Sequence, residues 1–352
     1  MKLSQISFDT IELKESIVKA TVPLLLESKE ANSLANDIFE IYKQKINTKA
    51  IRLNPRSREA NADTYPIVCK DTSPTLFHVI YNVDKTRISI ETQNREEAEK
   101  VYRIFREQRI IKPDIEYIRN YVKGNLDEIV AALLWQVGAI KVSLGDLKPL
   151  FKVDERKNRS PIYIDVKCLP NYPNINDFIV SEAALLASNI DFDIICGIEA
   201  GSISFATSLS KKFNLPMFFA RRERRYAEAS LLEGIKEHEI YKRKILLVDD
   251  TIVKGWTKER VIDEIRLKGG MIENCLVIFD RQQDGKEALY EKGVKLCSLT
   301  NREAALSKSI SKEITFLTDR EYEEVLSYFK DPKEWHKRRG FPYYELSPKQ
   351  RA

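Results

Sequence analysis

The chain has 352 residues, enough for two domains of ordinary size, and its 43% hydrophobic and 32% charged residues describe a globular protein rather than a disordered one. A formal net charge of +5, from 58 basic against 53 acidic residues, is too small to point by itself to nucleic acid. No apolar run approaches the roughly 20 residues that span a bilayer, and the polar start MKLSQISFDTIELKES lacks the apolar core of a secretion signal, so a cytoplasmic location and no membrane partner are expected.

Residues 33–46 (SLANDIFEIYKQKI) carry helical spacing. Residues 53–75 are rich in Pro, Arg, Asn, Asp and Ser and read as a loop. Residues 76–83 (LFHVIYNV) and 87–92 (RISIET) are short and rich in β-branched and aromatic residues, and pair as a hairpin turned at Asp84 and Lys85. Residues 95–108 (REEAEKVYRIFREQ) form a charged amphipathic helix with Ala98, Val101, Tyr102 and Phe105 on one face. Residues 1–120 are therefore expected to form a small α+β N-terminal domain. It holds no catalytic constellation, and a structural or dimer-forming role is the expectation.

Residues 125–137 (NLDEIVAALLWQV) form a helix with Asn125 as N-cap and Glu128 at the third helical position. Strand-like and helical runs then alternate. Strands are expected at 162–166, 190–196, 217–220, 244–248, 275–279 and 294–298, with helices starting at Ile175, Ser202 and Trp256. The alternation predicts an α/β fold with a central, mostly parallel sheet and flanking helices. Nearly continuous apolar runs such as DIICGI and ILLV fit strands covered on both faces. His238 is expected on the surface of a hairpin, IKEHEIYKRK. Residues 311–352 are expected to give a helix and the basic, aromatic tail FKDPKEWHKRRGFPYYELSPKQRA. Such a tail packs across a neighbouring subunit or stays partly disordered more often than it binds nucleic acid.

Five cysteines, an odd number with no CxxC, and three scattered histidines give neither a disulfide framework nor zinc spacing. Cys168, Cys196, Cys275 and Cys297 lie in or beside apolar runs and read as buried, reduced thiols.

In a parallel α/β sheet, ligands bind beyond the carboxyl ends of the strands. There the run ILLV meets Asp249 and Asp250, and the loop TIVKGWT leads into a helix whose first amides can cradle an anion. Two carboxylates beside such a cradle suit a sugar phosphate, the acids taking ribose hydroxyls and the amides the phosphate. Two exposed turn aspartates are the plainer alternative.

Residues 249–257 resemble the phosphoribosyl-pyrophosphate (PRPP) signature of type I phosphoribosyltransferases, and four further segments resemble the orotate phosphoribosyltransferase family. Residues 138–165 (GAIKVSLGDLKPLFKVDERKNRSPIYID) are similar to its N-terminal lysine-bearing hairpin, followed by Ser160-Pro161 and an aromatic residue. Residues 197–206 (GIEAGSISFA) resemble the pyrophosphate loop, 219–225 (FARRERR) the mobile basic catalytic loop, and 279–285 (FDRQQDG) the segment whose Arg contacts orotate. Together they cover roughly residues 125–305 in the family's order.

The resemblance implies transfer of 5-phosphoribose from PRPP to orotate, giving orotidine 5′-monophosphate and pyrophosphate, a step of pyrimidine nucleotide synthesis. It implies Mg2+ held mainly by PRPP, near Asp249 and Asp250, and a homodimer in which one subunit's mobile loop serves the other's site. Carried onto this chain, it makes Arg222, Arg225, Asp249 and Asp250 the catalytic set. It gives Lys152 (with Lys148 as the other lysine), Tyr163 and Arg281 to the base side, and Ala200, Gly201, Ser202 and Arg221 to pyrophosphate. Thr251, Ile252, Val253, Lys254, Gly255, Trp256 and Thr257 fall to the 5′-phosphate. For Arg281, an ion pair with Asp280 or Asp284 is the plainer alternative.

Three loops depart from the family pattern. The catalytic loop normally carries two lysines and a His-Gly; here Arg222, Arg225 and Ala227-Glu228 stand there. Arginine keeps the charge but cannot donate a proton as lysine can. Trp256 fills a place held by a small residue, a threonine hydroxyl is lost, and Lys254 could face the phosphate in its stead. Ala200 and Ser202 replace a small hydroxyl residue and a Gly. Two alternatives therefore stay open: a catalytically weak PRPP- or nucleotide-sensing regulator on the same fold, and a phosphoribosyltransferase for another base. The expected domains are 1–120, the transferase-like 121–310, and the C-terminal 311–352.

Overall fold

A computed structural model describes residues 115–122, 124–144, 150–152, 158–226, 229–307, 310, 317 and 319–344, with side chains except at 117 and 121, and the backbone alone of seven strands before residue 92. The expected helices at 33–46 and 95–108 lie outside the described residues. The chain divides into two compact units, one dominated by Met1–Asp114, the other holding Ile115–Trp135, Ala139–Ser311 and Leu317–Ala352.

The first unit carries β1 (Thr10–Lys14), β2 (Ile17–Pro23), β3 (Ala50–Arg52), β4 (Arg58–Glu59), β5 (Ala62–Cys69), β6 (Thr75–Asn82) and β7 (Arg87–Glu91). They form one antiparallel sheet in the order β1-β2-β7-β6-β5-β3, with β4 beside β5. The expected hairpin is present as β6 and β7, closing at Asn82 opposite Arg87. The expected loop over 53–75 is corrected: β4 and β5 run through it. Pro66 argues against a strand there, because proline has no N–H to give a ladder. The register resolves this, since β3 covers only Ile67–Cys69 of β5 and β4 only Ala62 and Asp63. Pro66 therefore has one strand neighbour, β6, and behaves as an edge residue.

The second unit opens with α1 (Ile115–Val122) and α2 (Leu126–Gln136). A double hairpin follows: β8 (Ile140–Val142) pairs with β11 (Ile162–Ile164), and inside it β9 (Phe151–Lys152) pairs with β10 (Arg159–Ser160). A 3-10 turn, Val166–Asn171, leads into α3 (Pro173–Ala187). Then come β12 (Ile194–Ile198), α4 (Ile203–Phe213), β13 (Met217–Ala220), β14 (Leu232–Glu233), α5 (Glu237–Ile240), β15 (Lys244–Ile252), α6 (Trp256–Leu267), β16 (Met271–Asp280), α7 (Gly285–Glu291), β17 (Lys295–Asn301) and α8 (Arg302–Ala305). His238 thus lies on the short helix α5, not on a hairpin.

The sheet order is β14-β13-β12-β15-β16-β17, parallel except for the edge strand β14. All five residues of β12 are buried, as a central parallel strand requires. Cys196, Ile198, Leu247, Cys275 and Val277 from the sheet pack with Val261, Ile262 and Ile265 of α6 in one core. Cys196 and Cys275 are buried free thiols, and burial pushes the Cys275 thiol up to about 12. Cys168 and Cys297 are only partly covered, which corrects the expectation of four buried thiols.

The C-terminal segment forms α9 (Asp319–Lys330) and α10 (Pro332–Arg338). Asp331 caps α10 by accepting the Glu334 amide at 2.9 Å, and Pro332 supplies a preset first residue. Residues 319–344 make contacts with the double hairpin of their own chain. His336 accepts the Arg159 amide at 2.9 Å, and Asn158 exchanges two 3.0 Å bonds with the Tyr344 backbone. No helix among the described residues is long and apolar enough to cross a membrane.

Candidate active site

Four loops leave neighbouring strands of the central sheet at their carboxyl ends: 199–202 after β12, 221–226 after β13, 253–255 after β15 and 281–284 after β16. β12 stops pairing with β15 at Val248, while β15 continues beside β16 as far as Ile252. Asp249 and Asp250 thus sit inside a strand that has lost one neighbour, rather than beyond a strand end at 248. The space that β12 vacates is filled by its own loop.

Asp250 faces that loop. Its Oδ1 accepts the Thr251 amide at 2.7 Å and the Thr251 hydroxyl at 3.2 Å. Its Oδ2 lies over Gly201, where a Cβ would fall 1.8 Å away, and 3.0 Å from Cε of Lys167. A side chain at position 201 would force the Asp250 carboxylate to shift. Asp249 faces the other way. Its Oδ1 accepts the Asp250 amide at 2.8 Å, and its Oδ2 pairs with Lys258, which also donates to the Thr251 carbonyl at 2.8 Å. Both side chains are about 5% exposed. Burial lifts the Asp249 carboxyl to about 6, outweighing the attraction of Lys258. Both aspartates are buried, Asp249 at 4% and Asp250 at 5% exposed; Asp250 turns its Oδ2 toward the loop at Gly201, and Asp249 anchors α6.

Ser202 is fully buried. Its hydroxyl donates to the Ile198 carbonyl and accepts the Ile198 amide, both at 2.6 Å, which pins the loop to the end of β12. Ala200 is exposed at the loop's tip.

The guanidinium groups of Arg221, Arg224 and Arg225 already have anionic partners, and that of Arg222 rests on a backbone carbonyl. Arg221 pairs with Glu233 and, at 3.2 Å, with Glu199. Arg222 takes the Glu199 carboxylate on its amide at 3.0 Å and the Glu199 carbonyl on Nε at 2.9 Å. Arg225 reaches Glu233 at 3.1 Å, and Arg224 pairs with Glu264. The Arg221 hydrogen bond holds Glu233 below the usual carboxylate range. Ala227 and Glu228 lie outside the described residues.

Gly255, at φ 84°, makes the left-handed turn into α6, and a Cβ there would meet Ala288 at 3.2 Å. The amides of residues 253–257 precede the helical ladder, since the Glu259 amide bonds back to Gly255. Ile252 is buried; Thr251, Val253, Trp256 and Thr257 are half-buried around the turn. Lys254 does not face the cradle but pairs with Asp284.

Arg281 is 7% exposed, and its amide bonds to the Ile252 carbonyl at 3.0 Å. Neither acid suspected as its partner is one. Asp284 is taken by Lys254, and Asp280 accepts the Gln282 amide at 2.8 Å. Among the described residues Arg281 forms no ion pair, and its Nε, with Gln283 Oε1, is buried with no hydrogen-bond partner. Burial draws the Arg281 pKa down, opposed by the electrostatic influence of Tyr328 of α9 and Tyr163 of β11. Tyr163 stacks on Phe151 with centroids 5.5 Å apart. Lys141 lies 6.0 Å above the Tyr163 ring and is bound to Asp165 at 2.6 Å. Lys152 is exposed on β9, and Lys148 lies outside the described residues.

No group of three metal-binding side chains occurs among the described residues. Mg2+ needs only one or two carboxylates when substrate phosphates supply further oxygens. Oδ2 of Asp250, which faces the loop at Gly201, fits that division. Lys167 and Lys258 were not legible as site residues. Lys167 follows PIYID by one residue, and that position after the hairpin is the signal that could have marked it.

A phosphoribosyl transferase domain model matches residues 174–307. The orotate phosphoribosyltransferase of Sulfolobus acidocaldarius is 33% identical over 155 residues, 44% of this chain and 77% of that protein. That of Methanopyrus kandleri is 34% identical over 173 residues, 49% of this chain and 87% of its own length. Among solved structures, Leishmania donovani UMP synthase shares the fold at a TM-score of 0.50 and 21% identity, covering 67% of this chain and 45% of that one.

Proposed function

The chain belongs to the orotate phosphoribosyltransferase-like type I phosphoribosyltransferases, and from that premise we propose that it transfers 5-phosphoribose from PRPP to orotate, releasing pyrophosphate and orotidine 5′-monophosphate. The observation that carries the acceptor is Arg281. A buried guanidinium without an anionic partner is costly to keep, by several kcal/mol for an uncompensated ion. It is retained where an anion arrives with the ligand. A flat pyrimidine carboxylate supplies that anion, and Tyr163 supplies a ring face beside it.

In this reading the acceptor's ring nitrogen attacks C1 of the ribose as the bond to pyrophosphate breaks. Positive charge grows on the sugar and negative charge on the leaving group. Asp250 holds the ribose hydroxyls, and the amides of 253–257 hold the 5′-phosphate. Lys167, an exposed cation beside Gly201, lies on the pyrophosphate side. Arg221 and Arg225 reach pyrophosphate by exchanging Glu199 and Glu233 for its oxygens, and Arg222 by leaving the Glu199 carbonyl. Mg2+ brought with PRPP would neutralise phosphate charge, and Asp250 would be the carboxylate to help hold it. We take the working assembly to be a homodimer.

The paired arginines favour a second reading, a PRPP sensor that binds with little turnover. Mixing the protein with orotate, PRPP and Mg2+ and following orotate absorbance separates the two. Turnover that falls about a hundredfold or more in Asp250→Asn supports the transferase. A melting point that rises with PRPP, without turnover of orotate, selects the sensor or another acceptor base.

A further inference from the structure

Four arginines follow β13, and one of them turns away from the rest. Arg221 and Arg225 reach Glu233 on β14, and Arg222 rests on the Glu199 carbonyl. Arg224 instead meets Glu264 of α6. Its fork spans two partners: one Nη donates to Oε2 of Glu264 and the other to the Ala229 carbonyl, each at 2.5 Å. The second Glu264 oxygen accepts the Ser230 hydroxyl at 3.2 Å, and the oxygen of that hydroxyl accepts the Leu232 amide at 3.0 Å. The Ala229 amide donates to the Tyr226 carbonyl at 3.0 Å, and the Arg221 amide to the Leu231 carbonyl at 2.8 Å. The outgoing arm 221–226 and the returning arm 229–232 are thus stitched together, and one carboxylate on α6 fastens both.

Glu264 sits on an unusual part of its helix. Val261, Ile262 and Ile265 set the core face of α6, and position 264 falls roughly 100° round from the centre of that face. A carboxylate on such a flank is ordinarily left in water. Here it is 6% exposed, with Arg224 and Ser230 bonded to it. Arginine suits the task, because its planar fork holds two acceptors in fixed directions, which a lysine ammonium does not. The same helix starts at the amides of the 5′-phosphate cradle, and Glu264 stands roughly 12 Å along it from Trp256. We propose that Arg224 and Glu264 are positioning residues for PRPP: they moor the arginine loop to the helix that carries the phosphate cradle, and so keep Arg221, Arg222 and Arg225 in register with it. They act through the other three arginines, and the inference rests on the pyrophosphate role given to those three above.

The test compares wild type with Arg224→Met, Glu264→Gln and the double variant, by initial rates over a range of PRPP and, separately, of orotate, with melting points alongside. Each single change should raise KM for PRPP about tenfold, as for loss of a hydrogen bond between charged groups, and leave KM for orotate within about twofold. The double variant should be no worse than the worse single one, since both remove the same contact. Lys292→Met, which breaks a 2.7 Å ion pair with Asp263 at the neighbouring position of α6, should leave KM for PRPP unchanged. A PRPP KM unaltered in either single variant, additive losses, or an equal rise in Lys292→Met overturns the mooring and leaves the transferase assignment standing. Arg222→Ala reads the loop itself: an unaltered PRPP KM there overturns the loop's role and the mooring with it. If the wild type binds PRPP but turns over no base, the same variants are compared by the melting-point shift that PRPP produces. Weaker PRPP binding in both single variants supports the mooring, and equal binding overturns it. A wild type that neither turns over nor binds PRPP overturns both readings.

Discussion

Lys258 occupies the third position of α6 and ends in a dry site between Asp249 and the Thr251 carbonyl. Removing one partner of a buried pair leaves the other uncompensated, which costs about 3–5 kcal/mol. Lys258→Met should therefore lower the urea midpoint by that equivalent, and adding Asp249→Asn should recover part of the loss. Two independent, additive losses would show that the pair does not couple. Nine residues separate these partners, and no helical or strand periodicity links them. The sequence thus made Asp249 and Asp250 look equivalent, whereas the backbone turns one carboxylate toward Gly201 and the other into the core. Lys167 poses the same problem in reverse. Its exposed side chain has no charge pattern to mark it, yet it comes to rest over the glycine that borders Asp250. Lys167→Ala should raise KM for PRPP several-fold with the melting point unchanged.

At the level of elements, the loop between β13 and β14 is closed by its own charges. Glu233 on β14 receives Arg221 and Arg225, and Glu199 receives Arg221 and Arg222. The Arg221 hydrogen bond holds the Glu233 carboxyl below its ordinary value of 4.5. For a depressed carboxylate, the stabilisation is present above the unfolded value and disappears as pH falls through the folded one. The melting-point gap between wild type and Glu233→Gln should therefore be steady above pH 4.5 and close below it. Glu233 is well solvated, so the gap should be small and shrink in salt. The order of strands and helices was legible because each central strand is a continuous apolar run ending near a glycine or a charge. β5 was not, because Pro66 argues locally for a loop and only the register shows its free side. The anionic partners of the arginines were not legible either, since Glu233 and Glu264 come from other elements.

Across the whole second unit, α9 and α10 bring the segment after residue 318 back onto the double hairpin near residues 144–160. Composition suggested a sticky tail, because Trp335, His336, Phe341 and Tyr343 look like surface binding residues when read in line. In space they face one another: Trp335 meets His336 at 5.2 Å, and His336 meets Tyr343 at 5.0 Å. Trp335→Ala should cost about 3–5 kcal/mol in urea unfolding, as for a large buried aromatic. A loss under about 1 kcal/mol would mean the helix pair is only loosely attached.

The bond from the Arg159 amide to His336 joins residues 177 positions apart. At a synthesis rate of about 5–20 residues per second, roughly 9 to 35 s pass between the making of one partner and the other. The hairpin therefore leaves the ribosome long before its partner exists. During that interval the Arg159 amide must stay hydrated or borrow another acceptor, and the seat of α9 and α10 stays open to whatever else is nearby. A nascent chain stalled before residue 319 should hold a formed central sheet but an unprotected hairpin. Slow codons placed in that stretch would lengthen the vulnerable interval without changing a single residue of the finished protein.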